Sequence, residues 1–177
     1  MRVGLRRLRE LLVRALRHLI APLSRTRAFR RVGPRVLPRL ERLMDRVTGG
    51  RVPLSGLLVP SLVLHTTGSR TGTARQSVLM YTPDGVGGAV VAGTSFARDR
   101  HPAWSGNLLA HPDAAVSVRG RTFEVLAVPI GGDERDRAWA RIERQWPGYR
   151  DYERNSGRTV RLFRLTAVDP EITFPAW

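Results

Sequence analysis

Cysteine is absent from the 177 residues, and so is lysine, all thirty basic residues being arginine. The first absence excludes disulfides, thiolate catalysis and thiolate-ligated metals. The second is read as the mark of an arginine-biased, GC-rich genome, with no chemistry in it. Acids are half as numerous as bases and lie scattered on expected helices and turns. No acidic cluster or paired spacing joins His18, His65, His101 and His111, so no metal site is expected. Val52 to Ser69 carries no formal charge over eighteen residues, long enough to raise a membrane span, but Pro53, Gly56 and Pro60 point to a loop followed by a strand. Ser69, Ser77, Ser95 and Ser105 lack the strand-elbow-helix glycine context of a hydrolase serine. Side-chain hydrolysis is thereby disfavoured, leaving binding or chemistry carried by an organic cofactor.

What is present is unevenly placed. Residues 1 to 50 hold fourteen arginines against Glu10, Glu41 and Asp45, a net charge of +11, while the other 127 residues hold sixteen arginines against twelve acids, a net of +4. Leu5, Leu8, Leu12, Leu16 and Leu19 share one helical face over Met1 to Ile20, with Arg6, Arg7, Arg14, Arg17 and His18 opposite. Such a basic amphipathic helix suits an anionic membrane surface, or else packs its leucines on the domain or a second copy. Arg14 and Arg17 interrupt the apolar stretch, which argues against a secretory signal; a mitochondrial-type presequence shares the pattern. Leu37, Leu40, Leu43, Met44 and Val47 give a second short period ended by Gly49-Gly50. The length suits one core, so the expected organisation is a basic helical extension over 1–50 and one domain over 51–177.

That domain reads as strands with few helices. Strands are predicted near 61–67, 74–82, 88–94, 114–119, 121–129 and 160–166, each rich in Val, Leu or Thr. Pro83-Asp84-Gly85 and Arg119-Gly120-Arg121 supply turns. Helices are predicted over 101–110, with Pro102 in the first turn, and from Asp133 to about Trp146, with acids at its positive end. The fold class is mainly β with helices (α+β), a small antiparallel six-stranded barrel.

The segment Gly68-Ser69-Arg70-Thr71-Gly72 lies between the first two strands as a tight turn. With Arg75 nearby, its backbone amides, hydroxyls and guanidinium groups form either an ordinary polar hairpin or a cradle for phosphate or carboxylate. Tyr149 and Tyr152 are likewise open between packing at a helix end and contact with a ligand, and Trp104 between core and ring-stacking roles.

Several blocks together resemble the deazaflavin-dependent nitroreductase family, found largely in actinobacteria: Leu64 to Gly72, Leu79-Met80-Tyr81, His101-Pro102-Ala103-Trp104 with Asn107 to Pro112, and Trp146-Pro147-Gly148-Tyr149 with Tyr152. The resemblance covers about residues 60 to 166. It implies a split β-barrel and coenzyme F420, a deazaflavin with a phosphate and a glutamate-rich tail. By that likeness Gly68, Ser69, Arg70, Thr71, Gly72 and Arg75 would take the phosphate and tail. Leu79, Met80 and Tyr81, with Ala92 to Ser95 and hence Thr94 and Ser95, would border the ring. Pro102, Ala103, Trp104 and Asn107 would close the slot, and Tyr149 and Tyr152 would face the substrate as catalytic residues. Ser105 departs from a tyrosine common in relatives, and Thr94 to Arg100 from a glycine-rich stretch, with Phe96 set to shape the slot and Arg98 and Arg100 to grip the tail.

The expected function is hydride transfer from the reduced deazaflavin to a quinone, nitro compound or activated enone. Split barrels also take ordinary flavins, so FMN is the alternative cofactor, and a non-catalytic lipid carrier of the same fold is the alternative function. Nucleic acid is disfavoured as a partner despite a pI near 11.8, because most excess charge sits in the extension. The expected location is cytoplasmic, with residues 1–20 peripheral on the inner face of the membrane; a homodimer is left open.

Overall fold

The structure, a computed structural model, describes residues 60–95 and 99–175. The expected helices over 1–20 and 37–47, the boundary near residue 50, Phe96 and Arg98 lie outside them. Residues 60–145 and 149–175 form one compact unit.

Six antiparallel strands close into a barrel: β1 (Ser61–Thr67), β2 (Ala74–Pro83), β3 (Ala89–Ala92), β4 (Asp113–Val118), β5 (Arg121–Pro129) and β6 (Leu162–Ala167), in the order β1-β2-β3-β6-β5-β4. Alternation sets the inner face. Leu62, Leu64 and Thr66 of β1 are buried, as are Phe123, Val125 and Ala127 of β5, while the residues between them are more exposed. Cross-strand partners share a face, so the pairing Leu62↔Leu79, Leu64↔Ser77 and Thr66↔Arg75 carries the inner face of β1 onto β2. Arg119 at φ 49° and Gly120 at φ 76° give the two left-handed residues that a two-residue hairpin between β4 and β5 requires.

Among the described residues three helices decorate the barrel: α1 (Ala103–Ala110), α2 (Gly132–Gln145) and α3 (Asp151–Ser156). Helix α1 covers one mouth, with Trp104 tilted onto Phe163 at 5.9 Å and Leu108 in the same core. Phe174 fills the other mouth, 5.8 Å from Tyr81 and 5.3 Å from Phe123 between ring centres. Helix α2 lays Ala138, Trp139 and Ile142 on the outer side of β3 and β6, against Val90 and Leu162. Each fully buried side chain of this kind contributes about 1.5–3 kcal/mol.

Three expectations shift. β3 ends at Ala92 rather than 94, because Ser95 adopts φ 50° and the Gly93 and Thr94 carbonyls accept from Arg158. β6 starts at Leu162 rather than 160, the amide of Val160 donating at 2.6 Å to the Glu153 carboxylate. Helix α3, stopped by Gly157 at φ 66°, is unforeseen in the sequence. No helix among the described residues is long and apolar enough to cross a membrane.

Candidate active site

The turn between β1 and β2 is held by its own backbone. Gly68 N donates to Thr73 O and Gly72 N to Gly68 O, each at 2.8 Å, and Gly72 turns the chain at φ 65°. A side chain on Gly68 would meet Thr71 Oγ1 at 2.9 Å. Thr71 and Thr73 join hydroxyls at 2.7 Å. The turn is also pinned from outside, since Ser69 N donates to Asn107 Oδ1 and Asn107 Nδ2 donates to Thr66 Oγ1, both at 3.0 Å. Asn107, buried on α1, thereby spends its amide on structure.

Several donors remain for a ligand. Among the described residues no hydrogen bond or ion pair engages the Arg70 and Thr71 amides or the Arg70 and Arg75 guanidinium groups. All of these residues, with Ser69 and Gly72, are exposed. Two free amides, a hydroxyl and two cations on a backbone-locked loop form a set suited to phosphate and carboxylate oxygens. The donor chemistry therefore fits a cofactor with a phosphate and an acidic tail.

A second group of polar residues gathers at the start of α1. Thr94 Oγ1 lies 3.2 Å from the Tyr149 hydroxyl, and the Tyr149 and Tyr152 rings meet edge-on at 5.2 Å. Enclosure pushes the Tyr149 phenol up to about 12, with the Thr94 hydrogen bond pulling the other way and Tyr152 adding to the rise. Arg158 donates from one terminal nitrogen to Gly93 O and Thr94 O, each at 2.9 Å, and from the other to His101 Nδ1 at 3.0 Å. An arginine always donates, so Nδ1 accepts and the His101 proton sits on Nε2. Burial, then Arg161, then Arg158 lower the His101 pKa, which keeps the ring neutral. Arg161 reaches Ser105 Oγ at 3.4 Å, and Ser105 Oγ donates to Pro102 O at 2.8 Å.

Helix α1 joins the two groups. Asn107 grips the turn, and His101 and Ser105 meet the arginines near Thr94. At about 1.5 Å of rise per residue, the four steps from Ala103 to Asn107 span roughly 6 Å, with His101 in the extended lead-in before them.

The other sequence candidates divide. Pro102 is half-buried against Gly93, where a Cβ would stand 3.3 Å from its ring, and Ala103 is exposed beside it. Trp104 is a core residue by position, only 7% exposed. Leu79 packs on the barrel core and Met80 lies on the outer side, half-buried. Tyr81 is not brought to this end: its side chain lies in the interior at the opposite mouth, with its hydroxyl donating to Pro175 O at 3.2 Å. Arg100 is exposed. Sequence reasoning missed Arg158, Arg161 and the pairing of His101. No local signal marks them, because Arg158 addresses backbone carbonyls that any residue supplies.

Residues 37–167 match the family model described as F420H(2)-dependent quinone reductase. An F420H(2)-dependent quinone reductase of Mycobacterium tuberculosis is 34% identical over 142 residues, spanning 77% of this chain and 93% of that protein. A solved structure described as a domain-swapped dimer has 24% identity and a TM-score of 0.56 over 73% of this chain and 96% of that one. A protein of unknown function from Agrobacterium tumefaciens has 20% identity and a TM-score of 0.52 over 65% and 53%. These two structures support the fold alone. The chain belongs to the F420H(2)-dependent quinone reductase family, and with it to the oxidoreductases that use coenzyme F420.

Proposed function

We propose that this chain reduces a quinone with hydride from coenzyme F420, holding the cofactor's phosphate and acidic tail on the 68–75 turn and the acceptor near Thr94, Tyr149 and Tyr152. The observation that carries this reading is that α1 and its lead-in reach both groups, Asn107 bonding the turn and His101 bonding the Arg158 that also holds the Thr94 carbonyl. Bound reduced deazaflavin supplies the hydride. The protein supplies orientation and exclusion of water. Arg70 and Arg75 bind the anionic groups as charge-assisted donors. Ser95 and Pro102 border the ring beside Thr94, and Ala103 closes the slot.

A quinone that has accepted hydride carries an oxyanion. Tyr149 holds its proton too firmly to be a good acid, with a pKa near 12, so it stabilises that oxygen as a hydrogen-bond donor. Thr94 then donates to Tyr149, leaving the phenolic proton directed at the acceptor. The same groups would serve a nitro compound or an enone. A quinone is favoured because the family and the mycobacterial relative carry quinone reduction in their descriptions.

Residues 1–20 place the protein on an anionic membrane, where lipophilic quinones reside. Vesicle flotation with and without residues 1–30 tests this. Binding lost on deletion supports the membrane contact, and binding retained replaces it with a leucine face packed on protein.

The deciding experiment is fluorescence titration of the full chain with oxidised coenzyme F420 and, separately, FMN, followed by menadione-driven oxidation of the reduced deazaflavin. Micromolar or tighter F420 binding unmatched by FMN, with turnover, is expected. Equal FMN binding would move the protein to the ordinary flavins. Failure of F420 to bind would put the lipid-carrier reading first.

A further inference from the structure

We infer that Arg158 is a positioning residue for hydride acceptance: its fork on the Gly93 and Thr94 carbonyls and on His101 holds Thr94 where its hydroxyl orients Tyr149. The inference rests on the proposed role of Tyr149 and goes beyond it to a residue just past the Gly157 stop of α3.

The geometry needs such a part. β3 stops at Ala92, and the chain leaves the sheet through Gly93, Thr94 and Ser95, the last at φ 50°, a conformation that non-glycine residues seldom adopt. Gly93 N still donates to Arg161 O at 2.8 Å, but the carbonyls of Gly93 and Thr94 turn away from the ladder. Both point at one nitrogen of Arg158, at 2.9 Å. A planar guanidinium can bridge two successive carbonyls and still present its second nitrogen to His101 Nδ1, as observed at 3.0 Å. This one side chain thus joins the β3 exit, the start of α1 and the approach to β6. Thr94 is 7% exposed, and its hydroxyl partner is Tyr149 at 3.2 Å. A shift of Thr94 by a fraction of an ångström would misdirect the phenolic hydrogen.

Charge alone does not explain the arrangement. Arg161 lies close enough to repel Arg158, and burial opposes the cation as well; Glu153 and Asp99 offset part of both. A site needing only a positive charge would be served as well by an exposed arginine. The repelled, half-buried guanidinium is matched instead to three acceptors in fixed directions.

The test is a double-mutant cycle with Arg158→Lys and Tyr149→Phe on the full chain, read with the menadione assay. The chain has three tyrosines, so a 13Cζ-tyrosine spectrum of the cofactor-free protein gives a readout independent of turnover. Arg158→Lys keeps the charge and loses the fork. It should lower kcat about 10-fold with F420 affinity within about twofold, and should move the Tyr149 resonance while leaving Tyr81 in place. Combined with Tyr149→Phe, it should add no more than about threefold to the loss from Tyr149→Phe alone, because both changes remove one function. Losses that multiply would overturn the inference and leave Tyr149 intact, as would an unmoved Tyr149 resonance. A Tyr149→Phe variant with unchanged kcat would instead overturn the reading of Tyr149 itself. Should Arg158→Lys melt more than about 10 °C low, Arg158→Gln, a planar amide able to reach one carbonyl, repeats the cycle with the same two outcomes.

Discussion

The two ends of α1 are built on opposite plans. At the turn end, the residues proposed to meet the ligand are exposed and the rigidity comes from backbone bonds and from Asn107. At the tyrosine end, Thr94 is buried, Tyr149 is partly buried and an arginine is consumed in holding the chain. An anionic tail needs only charges that it can reach from water. Selective stabilisation of a developing oxyanion needs a donor fixed before the reaction and shielded from solvent. Under the proposed function the contrast separates affinity from rate: the turn end would govern how tightly the cofactor is held, and the tyrosine end how fast hydride is accepted.

The strongest way to break that separation is to remove both free cations. Each charge-assisted contact is worth about 1.5–3 kcal/mol, so Arg70→Ala with Arg75→Ala should weaken F420 binding by more than about 100-fold in a fluorescence titration. The melting temperature should stay within about 2 °C, since both side chains are exposed. A loss of kcat at saturating cofactor would show that the turn end also sets rate. Tyr149→Phe is the reciprocal change. We expect kcat for menadione to fall about 100-fold, near the effect of deleting an oxyanion donor, with cofactor affinity kept within about twofold.

Asn107 is where the comparison can be sharpened, because it belongs to the turn end yet sits on the shared helix. Asn107→Ala removes two hydrogen bonds from a buried position. It should cost about 2 kcal/mol, a drop of roughly 4–8 °C for a chain of this size by calorimetry. Cofactor affinity should fall with it and kcat change least. The smallest effect is one of pH. The phenol titrates near 12 in the native state against 10.0 unfolded. Stability from this group is therefore complete below pH 10 and is lost between 10 and 12 as the unfolded chain ionises first. At pH 11 the loss should be about 1.4 kcal/mol, visible in urea melts of the parent and absent from Tyr149→Phe. An identical slope in both would place the phenol in water.

The same contrast explains what could be read from the chain. The alternation of Leu62, Leu64 and Thr66, the Arg119-Gly120 turn and the glycines around Arg70 are local patterns with local physical causes, and each appears where it is expected. The turn end of the site is one such stretch. The tyrosine end is assembled from residues 93–95, 101–105, 149–152 and 158–161, and its defining bonds join partners 55 to 65 positions apart. Backbone carbonyls as acceptors leave no trace in residue identity, so Arg158 reads as one more solvated arginine. The placement of Tyr81 is hidden for a related reason. Its place beside Leu79 and Met80 suggests a slot, but strand parity and the Phe174 plug turn its ring into the far mouth. The early end of β3 follows from Ser95 and Arg158, neither of which strand propensity records.

The pairing of β3 with β6 has a consequence for how the molecule comes to exist. Val91 meets Phe163 and Val90 meets Arg164, contacts between residues some 70 positions apart, whereas β1 and β2 meet across a turn of a few residues. Closing a long loop carries an entropic cost that a hairpin escapes, so distant pairings form late. During refolding the anion-binding turn should acquire amide protection from hydrogen exchange first, and the Gly93–Thr94 exit last. On the proposed reading, a chain caught midway would already be able to hold an acidic tail while still lacking the means to accept a hydride.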